Sequence, residues 1–151
     1  MKIALRWRAV SGALAACLAL ASRADASDLQ GFEGYWYTPD KAVIEIKPCP
    51  SASALCGYLT FAREYGSDEL NPDPALKKRP VCGLQVLELR RFADGIWRDG
   101  TAYDPETGKS HKAALRKRDG KLYLRAYVGT EVFGETETWT SASDFKTPCK
   151  P

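Results

Sequence analysis

Asp104, Lys109 and His111 are the residues of this chain best able to move a proton. They flank the turn sequence Asp104-Pro105-Glu106-Thr107-Gly108. A carboxylate, an amine and an imidazole across one turn is a general acid–base set. Asp73 and Arg79 form a second polar pair. The Arg79 guanidinium either binds Asp73 and locks its loop, or is free to hold a ligand carboxylate. Each feature also has a structural reading. Asp73 and Asp104 both precede proline, and Asp-Pro units cap turns by accepting backbone N–H bonds. His111 is the only histidine, and a single histidine on a strand is most often structural or exposed. The cysteine spacings match no zinc pattern, so no metal is expected. There is no Ser/His/Asp set and no phosphate loop, and no cofactor is implied. Binding without catalysis is the leading reading. Chemistry at Asp104, Lys109 and His111 is the distant alternative.

The elements that hold these residues are short alternating runs separated by turn signals. The runs are 35–38, 42–47, 57–62, 84–92, 96–103, 110–117, 122–128 and 132–140. Leu59 and Phe61 fall on one face of the third. Asp94-Gly95 and Asp119-Gly120 are preferred pairs for tight hairpins. Asp99-Gly100 sits inside a run and suggests a bulge, as does Val86-Leu87. Between the third and fourth runs lie Asn71-Pro72-Asp73-Pro74 and Arg79-Pro80. These prolines exclude a regular helix or a central strand. The segment is a stiff loop, with room for a short helix at 65–70 or 75–78. Eight hairpin-linked strands close most naturally as an all-β, antiparallel, up-and-down barrel, which leaves no free edge. A barrel of that size is either filled by side chains or holds one small ligand.

Residues 1–26 read as a signal peptide: a basic start, a short apolar run, and Ala24-Asp25-Ala26 at the cleavage point. Leu14-Ala15-Ala16-Cys17 fits a lipobox, but the apolar run continues past it, so plain export is preferred to an outer-membrane lipoprotein. A membrane partner is expected only if Cys17 is lipidated. The leader removes Lys2, Arg6, Arg8, Arg23 and Asp25 from totals of 22 basic and 19 acidic residues. The remaining domain, 27–151, is formally neutral, which gives nucleic acid no electrostatic footprint. Lys77-Lys78-Arg79 and Arg116-Lys117-Arg118 read as solvated faces, with anion binding as the rival. Cys49, Cys56, Cys82 and Cys149 remain, an even count that fits two disulfides in an oxidising compartment. The favoured pairing is Cys49–Cys56, stapling a hairpin tip, with Cys82–Cys149. The expected location is periplasmic or secreted.

Gly34-Tyr35-Trp36 opens the first strand, and Gly-x-Trp there is a short lipocalin signature. Several further motifs occur in order. They are Gly34-x-Trp36-x-Thr38, Cys49…Cys56-Gly57, Asn71-Pro72-Asp73-Pro74, Arg79-Pro80-x-x-Gly83, Trp97-x-x-Gly100, Tyr103-Asp104-Pro105-x-x-Gly108-Lys109 and Gly134-x-Thr136-x-Thr138-Trp139. Together they resemble the exported bacterial family called domain of unknown function 2147, over about residues 31–140. The resemblance implies a lipocalin-like barrel and supplies no activity. Family members commonly end Trp-x-Arg, where this chain has Ser141, and commonly carry tyrosine where His111 stands.

On this reading Trp36 plugs the barrel. Arg79, Trp97, Tyr103, Tyr123, Tyr127 and Trp139 are candidate ligand contacts. Asn71, Asp73, Arg79 and Asp104 form a structural lock for the loop. The last strand has two faces. Phe133, Glu135, Glu137 and Trp139 share one, and the other is Gly134 with its threonines. If the aromatic face is inward, Glu135 and Glu137 bring carboxylates into the cavity. The function expected is a carrier or sensor for a small, partly apolar molecule. The alternative is an envelope protein-binding or inhibitor module with a filled barrel.

Overall fold

The computed structural model describes residues 29–50, 53–64 and 66–150. The leader read at residues 1–26, with Cys17, lies outside them. Nine strands form one antiparallel sheet: β1 (Gly34–Tyr37), β2 (Val43–Pro48), β3 (Leu55–Phe61), β4 (Gln85–Leu89), β5 (Arg91–Ala93), β6 (Ile96–Asp104), β7 (Lys109–Arg118), β8 (Lys121–Tyr127) and β9 (Glu135–Ser141). Their order is β4-β3-β2-β1-β9-β8-β7-β6-β5, and a β4–β6 pairing closes the ring. β4 and β5 are halves of one strand bent at Arg90, whose amide still bonds the Arg98 carbonyl at 3.0 Å. The barrel therefore has eight staves, matching the eight runs read from the sequence.

Closure depends on a bulge in β6. The register slips between Trp97 and Gly100, with Asp99 held at φ 59°. The slip sets Gly100 against β4, where a Cβ would lie only 1.7 Å from the Glu88 carbonyl oxygen. Glycine is the residue that lets the two backbones meet there. Two more bulges re-aim side chains. Val86 is skipped in the β3–β4 register, as the broken alternation suggested. Thr60 is skipped between β2 and β3. That second bulge corrects the sequence reading of β3. It separates Phe61 from Leu59, and Phe61 instead packs on Phe145 at 5.8 Å.

One end of the barrel is packed solid. Ile46, Leu55, Leu89, Trp97, Leu115 and Leu122 are essentially free of solvent contact there. This end carries the Cys49–Cys56 bridge and the Asp94-Gly95 and Asp119-Gly120 turns. The other end gathers the β1–β2 turn, the β6–β7 turn, the β8–β9 loop and the long loop before β4. Among the described residues of that loop the helical piece is one 3-10 turn, Pro74–Leu76. The β8–β9 connection is also longer than the sequence suggested. Glu131–Phe133 is a 3-10 turn, so Val132 and Phe133 precede the last strand rather than belong to it.

After β9 the chain turns back along the outside of β1 to β3. Phe145 meets Tyr35 edge-on at 5.5 Å, the Cys149 amide bonds the Thr60 carbonyl at 2.7 Å, and Cys149 is bridged to Cys82. The two disulfides close loops of very different length, 7 and 67 residues apart. Replacing Cys82 and Cys149 by Ser should cost about 4 kcal/mol, and replacing Cys49 and Cys56 about 2–3 kcal/mol. The first change should also expose residues 142–150 to protease. Urea midpoints and limited proteolysis check both. Equal losses from the two pairs would mean that Phe145, not the cross-link, holds the tail.

Candidate functional site

The open end holds a cavity of about 1180 Å³. Ile44, Leu59, Val86, Leu124 and Trp139 make its floor, and Ala102, His111 and Ala126 line its wall. The rim is built from three turns. Asp40 comes from the first, Asp104 to Glu106 from the second, and Val128 and Phe133 from the β8–β9 loop. Val128 and Phe133 are 76% and 85% exposed, so apolar surface borders the entrance. The orientation of the last strand is now fixed. Glu135, Glu137 and Trp139 face the cavity, while Thr136 lines a separate outer groove. The Trp139 indole N–H donates to Glu137 Oε2 at 3.0 Å.

The long loop is fastened beside this entrance by a carboxylate that the sequence reading did not single out. Asp68 is completely buried. It accepts hydrogen bonds from the Tyr103 hydroxyl at 2.5 Å, Asn71 Nδ2 at 2.7 Å and Arg79 Nε at 2.8 Å. Arg79 Nη2 approaches the same oxygen at 2.7 Å. Asn71 Oδ1 in turn accepts from the Asp73 amide. Main-chain bonds close the loop's neck, with the Asp68 amide donating to the Arg79 carbonyl at 2.9 Å. The loop then rests on the β6–β7 turn. At Gly108, whose φ is +67°, a Cβ would fall 1.9 Å from the Leu70 carbonyl oxygen.

Several sequence-predicted roles change. Arg79 pairs with Asp68, not Asp73, because Asp73 uses its carboxylate to cap the 3-10 turn at the Ala75 amide. With its guanidinium engaged, Arg79 does not line the cavity. Asp104 caps its own turn, accepting from the Glu106 amide and the Thr107 hydroxyl. It joins the lock only through the turn on which Leu70 rests. Asp104 and Lys109 are register partners across the β6–β7 turn, but among the described residues no side-chain hydrogen bond or ion pair links Asp104 to Lys109 or His111, and Lys109 lies outside the cavity lining. Trp97 is fully buried in the solid end, tilted against Phe92 at 5.3 Å, so it cannot contact a ligand. Tyr123 faces outward. It lines the outer groove with Arg116 and Arg118, and the Arg118 guanidinium lies 5.4 Å from its ring centre. Tyr103, Tyr127 and Trp139 do line the cavity. Trp36 is buried outside the lining, with its indole N–H on the Phe32 carbonyl at 2.8 Å. It is the register partner of Ile44, a floor residue.

The family model described as an uncharacterized protein conserved in bacteria, DUF2147, matches residues 34–141. The chain belongs to the DUF2147 family. Among solved structures it is similar to protein HP1028 from Helicobacter pylori, described as belonging to the lipocalin family. The identity is 22%, the TM-score 0.66, and the alignment covers 74% of this chain and 83% of that one. No curated protein matches the sequence. The likeness shows a lipocalin-like fold.

In this DUF2147 chain, motifs far apart in sequence meet at one point. Asn71 and Arg79 come from the loop and Tyr103 from β6, and all three converge on Asp68. Burial pushes the Asp68 carboxyl up. The hydrogen bonds from Tyr103, Asn71 and Arg79 and the Arg79 charge together outweigh it, and the carboxyl titrates below its ordinary value. Burial and the neighbouring Asp68 hold the Tyr103 hydroxyl above its ordinary value.

Removing the hub should therefore cost more than removing any one spoke. Asp68→Ala leaves three donors without their acceptor and should lose about 3–5 kcal/mol. Arg79→Ala should lose less, about 1–3 kcal/mol, because its side chain is 34% exposed. Equal urea midpoints for wild type and Asp68→Ala would show that the loop is held by its backbone alone.

The depressed carboxyl also fixes a pH dependence. A folded-state value below the unfolded one gives stability that is fully present above about pH 4 and is lost as pH falls through the folded value. The stability gap between wild type and Asp68→Asn should be widest near pH 7 and should shrink progressively as pH falls below about 4. A gap that stays constant across that range would mean Asp68 titrates normally.

Proposed function

We propose that this protein binds one small amphiphilic molecule, apolar part inward, and releases it unchanged. The observation that carries this reading is the division of the barrel. Its solid end needs no ligand to complete the core, whereas its open end leaves an apolar floor of Ile44, Leu59, Val86 and Leu124 facing a cavity of about 1180 Å³. Concave, largely apolar sites with a few polar groups are where small molecules bind. The apolar entrance at Val128 and Phe133 supports the same reading. The lipocalin-like fold fits it, and so does the absence of any bond joining Asp104, Lys109 and His111 into a proton relay. A module acting only on other proteins would be better served by a filled barrel. Two disulfides fit an oxidising compartment. With the leader read at residues 1–26, they support a periplasmic or secreted carrier or sensor whose folded domain follows at 27–151.

The test is ligand retention and titration. Native mass spectrometry of protein purified from its own periplasm should show a bound small molecule. Decanol titrated into delipidated protein should give a saturable, one-to-one change in tryptophan emission. Trp139→Phe should remove most of that change, while Trp36→Phe and Trp97→Phe should leave it. Ala126→Phe, which narrows the cavity, should weaken binding by about tenfold, the effect of losing one or two buried methylene groups' worth of contact. No saturable response to decanol, or one unaffected by Ala126→Phe, would overturn the reading.

A further inference from the structure

The charged groups around the cavity are unevenly matched. Six carboxylates line it: Asp40, Glu64, Asp104, Glu106, Glu135 and Glu137. Arg63 and His111 are the basic side chains in the same lining. Among the described residues, none of the six belongs to an ion pair. The ion pairs of the described residues use other carboxylates, those of Glu45, Asp68, Glu88, Asp99, Asp119 and Glu131. On the strands outside the cavity, the carboxylates of Glu45, Glu88 and Asp99 each lie against a lysine or arginine, whereas those lining the open end do not. Concave, low-dielectric walls of one sign focus the field into the opening.

The arrangement also distinguishes an organic cation from a metal. Among the described residues, no three or more His, Cys, Asp or Glu side chains are grouped to hold a metal ion. The carboxylates are spread round the rim and down one wall. Glu137 accepts from the Trp139 indole N–H at 3.0 Å, so a carboxylate and an aromatic ring stand side by side above the apolar floor. A carboxylate beside an aromatic ring favours a diffuse, alkylated ammonium, through charge and through the ring face.

Resting on the binding role argued above, we infer that the ligand is a cationic amphiphile, with an alkyl or aryl part on the floor and an ammonium group among the rim carboxylates. An anionic amphiphile such as a fatty acid would place its own carboxylate against theirs. Asp104, Glu106 and Asp40 would steer the cation inward, and Glu135 and Glu137 would hold it.

Three probes of one chain length test this: decyltrimethylammonium, decanol and decanoate, each below its micelle concentration at pH 7.5. Affinity should fall in that order. The cation should bind at least about tenfold more tightly than decanoate at low salt, and the preference should shrink in 0.5 M NaCl, where the Debye length is only about 4–5 Å. Glu135→Gln with Glu137→Gln should remove most of the cation's advantage over decanol and decanoate, and an unaltered urea midpoint would show the fold intact. Saturable decanol binding with equal or better affinity for decanoate would overturn the cationic assignment and leave the carrier reading standing. A cation preference that survives the double variant would overturn the role of Glu135 and Glu137. No binding of any probe would overturn the carrier reading itself, and this inference with it.

Discussion

A single buried carboxylate organises the open end of this barrel. Asp68 lies in a loop too rich in proline to be held by ladder hydrogen bonds. A free carboxylate there would be expensive to bury. It is tolerated because Tyr103, Asn71 and Arg79 all donate to it, and Arg79 also brings its charge. The dependence is mutual. Without Asp68 the loop keeps only the longer Asn71–Tyr103 bond and the Arg79 guanidinium over the Tyr103 ring as side-chain ties to β6. Without the loop Tyr103 loses both hydroxyl partners, Asp68 and Asn71. The rest of the loop follows from that point. Asp73 caps the 3-10 turn, Asn71 receives the Asp73 amide, and Leu70 settles on Gly108.

The network divides the molecule's polar groups into two sets. One set makes shape. Arg79 is paired with Asp68, and Asp73 caps the 3-10 turn, so neither faces the cavity. The other set is left over at the cavity. Among the described residues, Glu135, Glu137 and the rim acids form no ion pair, and Trp139 stands beside Glu137. The proposed binding chemistry therefore concentrates on the strand that looked hardest to orient. The tryptophans divide in the same way. Trp97 completes the solid end and Trp36 packs behind the floor opposite Ile44, while Trp139 sits between core and cavity.

Bulges do much of the positioning. At Thr60 the bulge sends Phe61 outward to receive the C-terminal tail. At Val86 it lets two successive residues reach the interior. At Asp99 it brings Gly100 against the Glu88 backbone, so that the sheet can close. Each is a local break in alternation with a consequence at long range, which is how a regular barrel acquires one solid end and one open end.

Much of this was legible in the residues alone, for local reasons. Alternation and Asp-Gly turns determine eight staves and their antiparallel order, since both depend only on neighbours in the chain. Cysteine spacing points to the observed pairing, because a short loop between two strands and one long loop are what remain. Asp73 and Asp104 could be read as turn caps for the same reason. Other features only the tertiary structure decided. Asp68 carries no local signal, as its partners lie 3, 11 and 35 residues away. A one-residue slip reverses which face a strand shows the interior, so Tyr123, Phe61 and the whole of the last strand could not be oriented in advance. Whether the barrel is hollow depends on the sum of side-chain volumes at a given level, and that sum exists only once eight strands have been brought into register.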